Sequence, residues 1–250
     1  MSKWNGVFDN PAYHYGVEPN DWIREAVTTY ILNDENRSAL GLSTPAESTA
    51  VELACGEGRN AVWLTTLGYD VHAVDESDAG LVKARRLYET QATAVPADAR
   101  VIPPGSLETH RRDIIDTPND DIDPFPTGDI VVSTYFHVPA RDHKAMFDAH
   151  AAATRTGGIL IAVWFHPDQR LSGMISGGPR NPESLITPEA LRAHFAKWRV
   201  IHCSRAEVTL SEGPGHTGPA VVTRFTAVLP HGTVRSRLPG IDALYPAAAL

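Results

Sequence analysis

The chain has 250 residues, of which 42% are hydrophobic and 21% charged, and a formal net charge of −8. That size fits one domain, or a domain with an appended arm, and the composition is that of an ordinary soluble globular protein. A broad acidic surface repels phosphate backbones, and Arg85-Arg86 and Arg111-Arg112 are too short to form a basic patch, so no nucleic-acid partner is expected. Two cysteines, Cys55 and Cys203, make neither a disulfide framework nor a zinc site and suit a reducing cytoplasm. The opening residues, MSKWNGVFDN, lack the apolar core of a signal peptide. The longest apolar run, Gly158 to Phe165, is too short to span a bilayer. A cytoplasmic protein without a membrane partner follows. No ligand-type spacing is evident, so no metal is expected.

Residues 1–18 are aromatic and turn-rich, with Trp4, Phe8, Tyr13, His14 and Tyr15. They read either as an arm packed on the core or as a lid. Asn20 or Asp21 caps a helix through about Leu32, whose stripe is Trp22, Ile23, Ala26, Val27, Tyr30 and Ile31. A polar connection, Asn33 to Glu47, follows, with Gly41 and Pro45 as breakers.

The stretch from Val51 to Ser77 organises the rest. An apolar strand, Val51 to Ala54, breaks at Gly56-Glu57-Gly58. Helical spacing resumes at Ala61, Val62, Leu64 and Leu67, and Gly68 closes the helix. A second strand, Tyr69 to Val74, ends on Asp75. Strand, glycine turn, helix, strand and acid form the nucleotide-binding half of a doubly wound sheet. The glycines admit a ligand close to the backbone, the helix start offers free N–H groups, and the acid can bind two ribose hydroxyls.

Ser77 caps a helix to about Gln91, and residues 92–106 read as a loop. A weak third strand, Ser106 to Arg112, ends at Asp113 in an acidic stretch that also holds Asp116, Asp120, Asp121 and Asp123. After a turn from Pro124 to Gly128, Asp129 to Thr134 is a buried strand followed by Tyr135-Phe136-His137. Arg141 to Thr154 is helical, and Gly157-Gly158 precedes a strand from Ile159 to Trp164. Residues 165–186 carry glycine and proline without periodicity. A segment of that length is usually functional, and this one leaves the ligand-binding end of a strand, so it reads as a specificity lid. Thr187 and Pro188 start a helix to Lys197. Two alternating strands, Trp198 to Leu210 and Ala220 to Leu229, flank a glycine-rich loop, and a Pro/Ala-rich tail follows.

Gly56-x-Gly58-x-x-Ala61 also fits a dinucleotide fingerprint. Glu52 inside the first strand, Arg59-Asn60 at the helix start and the lack of a second fingerprint favour another reading. Glu52-x-x-x-Gly56-x-Gly58 with Asp75 resembles motif I of class I S-adenosylmethionine (SAM) methyltransferases. ACGEGRNAVWLTTLGYDVHAVD resembles the tellurite-resistance type within that superfamily, and WNGVFDNPAYHYGVEPNDWI resembles the entry segment of many small-molecule methyltransferases. The resemblance covers roughly residues 15–230.

It implies an α/β fold: a doubly wound, mostly parallel seven-stranded sheet with an antiparallel last strand. It implies an arm and helix at 1–46, a SAM-binding core at 47–230 and a tail at 231–250. The cofactor would be SAM, leaving as S-adenosylhomocysteine. Its implied contacts are Tyr15, Ala54, Gly56, Gly58, Arg59, Asn60, Asp75, Glu76, Ser77, Asp113, Ile114 and Thr134. Residues 133–139, STYFHVP, lack the motif of DNA and protein-glutamine amino-methyltransferases. The Pro-Cys pair of C5-cytosine enzymes and the paired-glutamate loop of arginine methyltransferases are missing too. What remains resembles the small-molecule branch, acting on O, N, S or a chalcogen. In this type the hairpin of the last two strands returns to the cofactor face with an acid-glycine-x-x-histidine pattern, matched by Glu212 and His216. His216 and His137 are the expected catalytic residues, with His166 and His14 as further histidines on that face. Trp4, Tyr135, Phe136, Phe165 and Glu212 are expected at the substrate. The alternatives are an NAD(P)-dependent oxidoreductase and a non-catalytic SAM-binding module. A homodimer is compatible with the sequence.

Overall fold

A single seven-stranded sheet runs through the computed structural model, which describes residues 3–94, 103–115 and 125–231. In chain order the elements are α1 (Lys3–Phe8), α2 (Asp21–Val27, continued by a π-turn Thr28–Leu32), α3 (Asp34–Leu40), β1 (Thr49–Leu53), α4 (Arg59–Thr66), β2 (Asp70–Asp75), α5 (Asp78–Ala94) and β3 (Leu107–Arg111). There follow β4 (Gly128–Thr134), α6 (His143–Ala153), β5 (Thr154–Phe165), α7 (Asp168–Leu171), α8 (Pro188–His194), β6 (Arg199–Glu212) and β7 (His216–Val228). The strand order is β3-β2-β1-β4-β5-β7-β6. Pairings from β3 through β5 are parallel, and β7 runs antiparallel to both β5 and β6. The expected sheet, with its one reversed strand, is therefore present. The order turns back between β1 and β4, which creates the crevice where such sheets bind ligands.

β5 shows why the central strands read as continuous apolar runs. Ile159, Ile161, Val163 and Phe165 enter the core under α2 and α4. Leu160, Ala162 and Trp164 enter the core under α6 and α8. A strand covered on both faces has no polar side. Asn20 caps α2 as expected: its Oδ1 accepts from the N–H groups of Trp22 and Ile23.

Some boundaries differ from the sequence reading. The connection from Asn33 to Glu47 contains α3, capped by Asn33 and closed by Gly41 at φ 73°. This helix buries only Leu40, so it lacks the apolar stripe that would reveal it. β6 and β7 extend to Glu212 and His216, so most of the expected glycine-rich loop is strand and the turn is Gly213–Gly215. Residues 165–186, expected as a lid, contain α7 and a 3-10 turn at Pro182–Ser184. Most of the loop expected at 92–106, the acidic residues Asp116 to Asp123, and the tail beyond His231 lie outside the described residues.

Candidate active site at the carboxyl ends of β1 and β4

The exit of β1 is built from left-handed backbone. Ala54, Gly56 and Gly58 have φ of 56°, 54° and 82°. At Gly58 a Cβ would lie 2.5 Å from the Ala84 Cβ, so only glycine lets α4 and α5 approach this closely. Tyr135, just past β4, is also left-handed at φ 55°. β1 and β4 are paired through Leu53 and Ser133, so the two strained non-glycine residues leave neighbouring strands at the crevice. Strain of this kind is held only where surrounding structure over-determines it, and it gathers at functional sites.

Asp75 lies at the end of β2. Its two oxygens accept from the N–H groups of Gly56 and Ser77, each at 2.8 Å. Burial pushes its pKa up to about 6, against these hydrogen bonds. A carboxylate offers about four acceptor sites, so two stay available for a vicinal diol. α1 lies on this corner: Ser77 Oγ donates to Asn5 Oδ1 at 2.7 Å, and Phe8 packs on Gly56.

Glu57, between the two motif glycines, fastens the arm. Its Oε2 accepts from the His14 and Tyr15 N–H groups at 2.8 and 3.2 Å. Its Oε1 takes Lys83 Nζ at 2.6 Å, and that ammonium also donates to the Ala12 carbonyl at 2.6 Å. The Gly215 N–H donates to the His14 carbonyl at 2.9 Å, joining the arm to the β6–β7 turn. The arm is thus packed on the core, as one of the two expectations had it. Nothing in the sequence reading pointed to Glu57 or Lys83.

Glu52 caps α4 from a distance. The cap residue Gly58 has no side chain, and Glu52 Oε2 accepts from the Ala61 N–H at 2.7 Å instead. Its Oε1 accepts from Asn60 Nδ2 at 2.7 Å, and burial raises its pKa to about 7. Asn60 also accepts from the Asn20 N–H at 2.8 Å and donates to Thr134 Oγ1 at 3.3 Å. Asn20 Nδ2 continues to Glu212 Oε1 at 2.5 Å.

Glu212 is the hub. Its Oε2 meets Arg59 Nη2 at 2.9 Å and His216 Nδ1 at 3.3 Å, with all three side chains under 10% exposed. Burial would raise the Glu212 pKa, but the hydrogen bond from His216 and the charge of Arg59 hold it below the ordinary value. Burial lowers the His216 pKa, against the pull of Glu212. The consistent reading is an ionised Glu212 paired with Arg59 and a neutral His216 that donates from Nδ1, which makes Nε2 the basic nitrogen. Tyr15, Tyr135 and Phe165 surround the imidazole, at centroid distances of 4.4, 4.5 and 5.3 Å. Gly177 packs on the same imidazole, since a Cβ there would lie 2.5 Å from the His216 ring. A small cavity of about 30 Å³ adjoins Tyr135 and Glu212, lined also by Trp22, Val163, Val222 and Arg224.

The structure thus gathers Tyr15, Arg59, Asn60, Thr134, Tyr135, Phe165, Glu212 and His216 in one network, beside Ala54, Gly56, Gly58, Asp75 and Ser77. Glu76 is half-buried next to Asp75, Ile114 is buried, and Asp113 is exposed with Oδ1 accepting from the Ile115 N–H. Three expected substrate or catalytic residues stand elsewhere. Phe136 packs on the opposite core, and its carbonyl accepts from Trp164 Nε1. Trp4 stacks on Phe8 at 5.7 Å within α1. His137 has both ring nitrogens engaged: Nδ1 with the Ser184 carbonyl at 2.9 Å and Nε2 with the Phe165 N–H at 3.1 Å. Burial lowers its pKa to about 3. This geometry makes His137 a staple between lid and β5 rather than a proton acceptor. His166 lies beside Asp168, and His14 serves the arm through its backbone.

Against known proteins, residues 17–110 match the family model of the tellurite resistance protein TehB. TehB of Haemophilus influenzae superposes with a TM-score of 0.56 at 15% identity, over 90% of this chain and 65% of that one. A SAM-dependent methyltransferase of Anabaena variabilis superposes with a TM-score of 0.55 at 13% identity, covering 90% of this chain and 91% of its own. The fold is that of the class I SAM-dependent methyltransferases. Over residues 17–110 the chain is similar to the tellurite-resistance type. A structure described as the conversion of a disulfide bond into a thioacetal group during echinomycin biosynthesis has a TM-score of 0.60 at 14% identity, over 92% and 93% of the two chains. Hemagglutinin 1 of Eikenella corrodens is 36% identical over 58 residues, 23% of this chain; the match spans about a fifth (19%) of that relative's length.

The cofactor of this class is SAM, and the residues present fit it. At the left-handed turn Phe8 of α1 faces Gly56 and Ala84 faces Gly58, so a cofactor would lie against the turn beside α1. Asp75 has acceptor sites for two hydroxyls, and contacts to Tyr15 and Glu212 use only two of the five Arg59 donors. Among the described residues, no helix is long and apolar enough to cross a membrane.

Proposed function

We propose that this protein transfers a methyl group from SAM to a small-molecule acceptor by in-line displacement, with His216 taking the acceptor's proton. SAM would supply an activated methyl group on a sulfonium. Asp75, the turn at Gly56–Gly58, Ser77 and Arg59 would hold it, with Tyr15 covering it from the arm. The observation that carries the proposal is the buried Glu212–His216 pair inside the ring of Tyr15, Tyr135 and Phe165.

The chemistry follows from that arrangement. Transfer between aligned partners is chiefly a matter of positioning, which can supply about 7–11 kcal/mol of the barrier. Aromatic faces attract a cationic methyl group and exclude water. Glu212 fixes the His216 tautomer, and the neutral imidazole can accept a proton at neutral pH. Burial of the His216 side chain among these rings, at 6% exposure, favours a small acceptor over a protein or nucleic-acid chain. Neighbours of the same fold include one described as a magnesium protoporphyrin IX methyltransferase and one described by a conversion of a disulfide bond into a thioacetal group, so the fold itself does not name the acceptor. Both cysteines are buried and unpaired, which suits the cytoplasm.

Isothermal titration should find SAM and S-adenosylhomocysteine binding at micromolar levels, lost in Asp75→Ala. Absence of binding to the wild-type chain ends the proposal. A radiolabelled-methyl screen over thiols, phenols, amines and oxyanions should then find an acceptor. Cofactor binding with no acceptor in that screen would point to a SAM-binding module instead. In His216→Gln, turnover should fall by roughly 10²–10⁴ while S-adenosylhomocysteine affinity holds. Equal turnover removes His216 from the mechanism.

A further inference from the structure

Away from the crevice, the pairing of β2 with the edge strand β3 sets His72 opposite Glu108 and Val74 opposite His110. Side chains directly opposite, and those two residues further along, share one face of a sheet. His72, Glu108 and His110 therefore project together. His72 Nδ1 and His110 Nε2 stand 2.8 Å apart. Glu108 places Oε2 at 3.4 Å from the first and Oε1 at 3.7 Å from the second. The ligand atoms of all three residues lie within 4.8 Å of one another. The histidine side chains are 29% and 22% exposed and the glutamate 66%, so the group is sheltered yet reachable from solvent.

We propose that His72 Nδ1, His110 Nε2 and the Glu108 carboxylate bind one divalent transition-metal ion, of the zinc, nickel or cobalt kind. Two imidazoles and a carboxylate form a nitrogen-rich set that suits these ions, whereas magnesium and calcium require oxygen ligands. With metal–ligand bonds of about 2.0–2.1 Å, tetrahedral ligand atoms lie about 3.3 Å apart. Each nitrogen already has one Glu108 oxygen near that distance, Oε2 for His72 and Oε1 for His110; the exposed carboxylate has to turn one oxygen toward both, and the histidine nitrogens need to part by about half an ångström, within reach of side-chain torsions. Three protein ligands leave a position for water.

The ion would clip the edge strand to β2. His72 lies three residues before Asp75, and Arg112, just past β3, donates its N–H to the Asp75 carbonyl at 2.9 Å. The clip would therefore steady the strand end that carries Asp75 and leads into Asp113. Sequence spacing gave no sign of it, because His72 and His110 are 38 residues apart and only strand pairing joins them.

The test uses the tag-free, chelator-stripped full chain. Calorimetric titration with Zn²⁺ should give one site per chain, Co²⁺ should develop visible d–d bands, and Mg²⁺ should give neither. Zn²⁺ should also raise the melting temperature. His72→Gln and His110→Gln should each weaken Zn²⁺ binding by on the order of a hundredfold. Glu108→Gln, at an exposed side chain, should weaken it too and guards against a histidine variant that fails to fold. No saturable binding in the wild type, or unchanged binding in Glu108→Gln and in the folded histidine variants, overturns the proposal. These readouts need neither SAM nor turnover, so they stand apart from the proposed methyl transfer.

Discussion

Arg59→Met keeps a long apolar stem but removes the guanidinium that meets Glu212 at 2.9 Å and the Tyr15 carbonyl at 3.2 Å. Arg59 and Glu212 side chains are 7% and 8% exposed, so the orphaned carboxylate cannot turn to water. Stranding a buried charge in this way costs about 3–5 kcal/mol. Asn20 and His216 still reach Glu212, which puts the expected loss near 3 kcal/mol, a large share of the roughly 5–15 kcal/mol that stabilises a domain. The double variant Arg59→Met/Glu212→Gln removes the stranded charge and should recover about 1–3 kcal/mol of that loss. Arg59 also helps to lower the His216 pKa, so Arg59→Met should move the acidic limb of any pH–rate profile, where His216 gains its proton, to higher pH. Urea unfolding of the four proteins near neutral pH, with unchanged m-values, measures the cycle. Additivity within about 0.5 kcal/mol would refute the claim that these side chains act as a buried pair.

Gly58→Ala forces a side chain into a left-handed site at φ 82° and against Ala84, for a combined cost of roughly 2–5 kcal/mol. Gly41→Ala meets nothing within 4 Å at φ 73° and should cost only about 1–2 kcal/mol, so equal urea midpoints would contradict the close approach of α4 and α5. Glu52 has a folded pKa raised from 4.5 to about 7, so the native state holds its proton where the unfolded chain has released it. Its contribution is complete below the unfolded value and is lost as pH rises through about 7, at about 1.4 kcal/mol per unit, and Glu52→Gln should flatten this part of a stability–pH curve. His137→Phe leaves the Ser184 carbonyl and the Phe165 N–H without their partner. It should cost about 1–3 kcal/mol while leaving the pH dependence of turnover unchanged; a changed profile would return His137 to the chemistry.

Local pattern made much of this protein legible. The run from Val51 to Asp75 announces its strand, turn, helix and strand through near neighbours, because apolar period and glycine placement are properties of adjacent residues. The Asn20 cap and the reversed last strand could be read in the same way, the latter through family resemblance. α3 escaped because a helix that buries one residue carries no stripe. Phe136 and Phe165 looked alike in sequence, yet the first faces one core and the second the other: Phe165 by its place in β5, Phe136 past the left-handed turn at Tyr135.

The chain's own order of residues determined the nucleotide-binding half-fold and the residue types at its turn. Tertiary structure decided which of them meet. Glu57 became a clasp for the arm, Glu52 a cap borrowed by another element, Glu212 a hub for Arg59 and His216, and His72 a neighbour of His110. Each of these contacts joins groups from separate elements, and a buried charge selects its partner by proximity in space, which strand order and register fix and sequence distance does not.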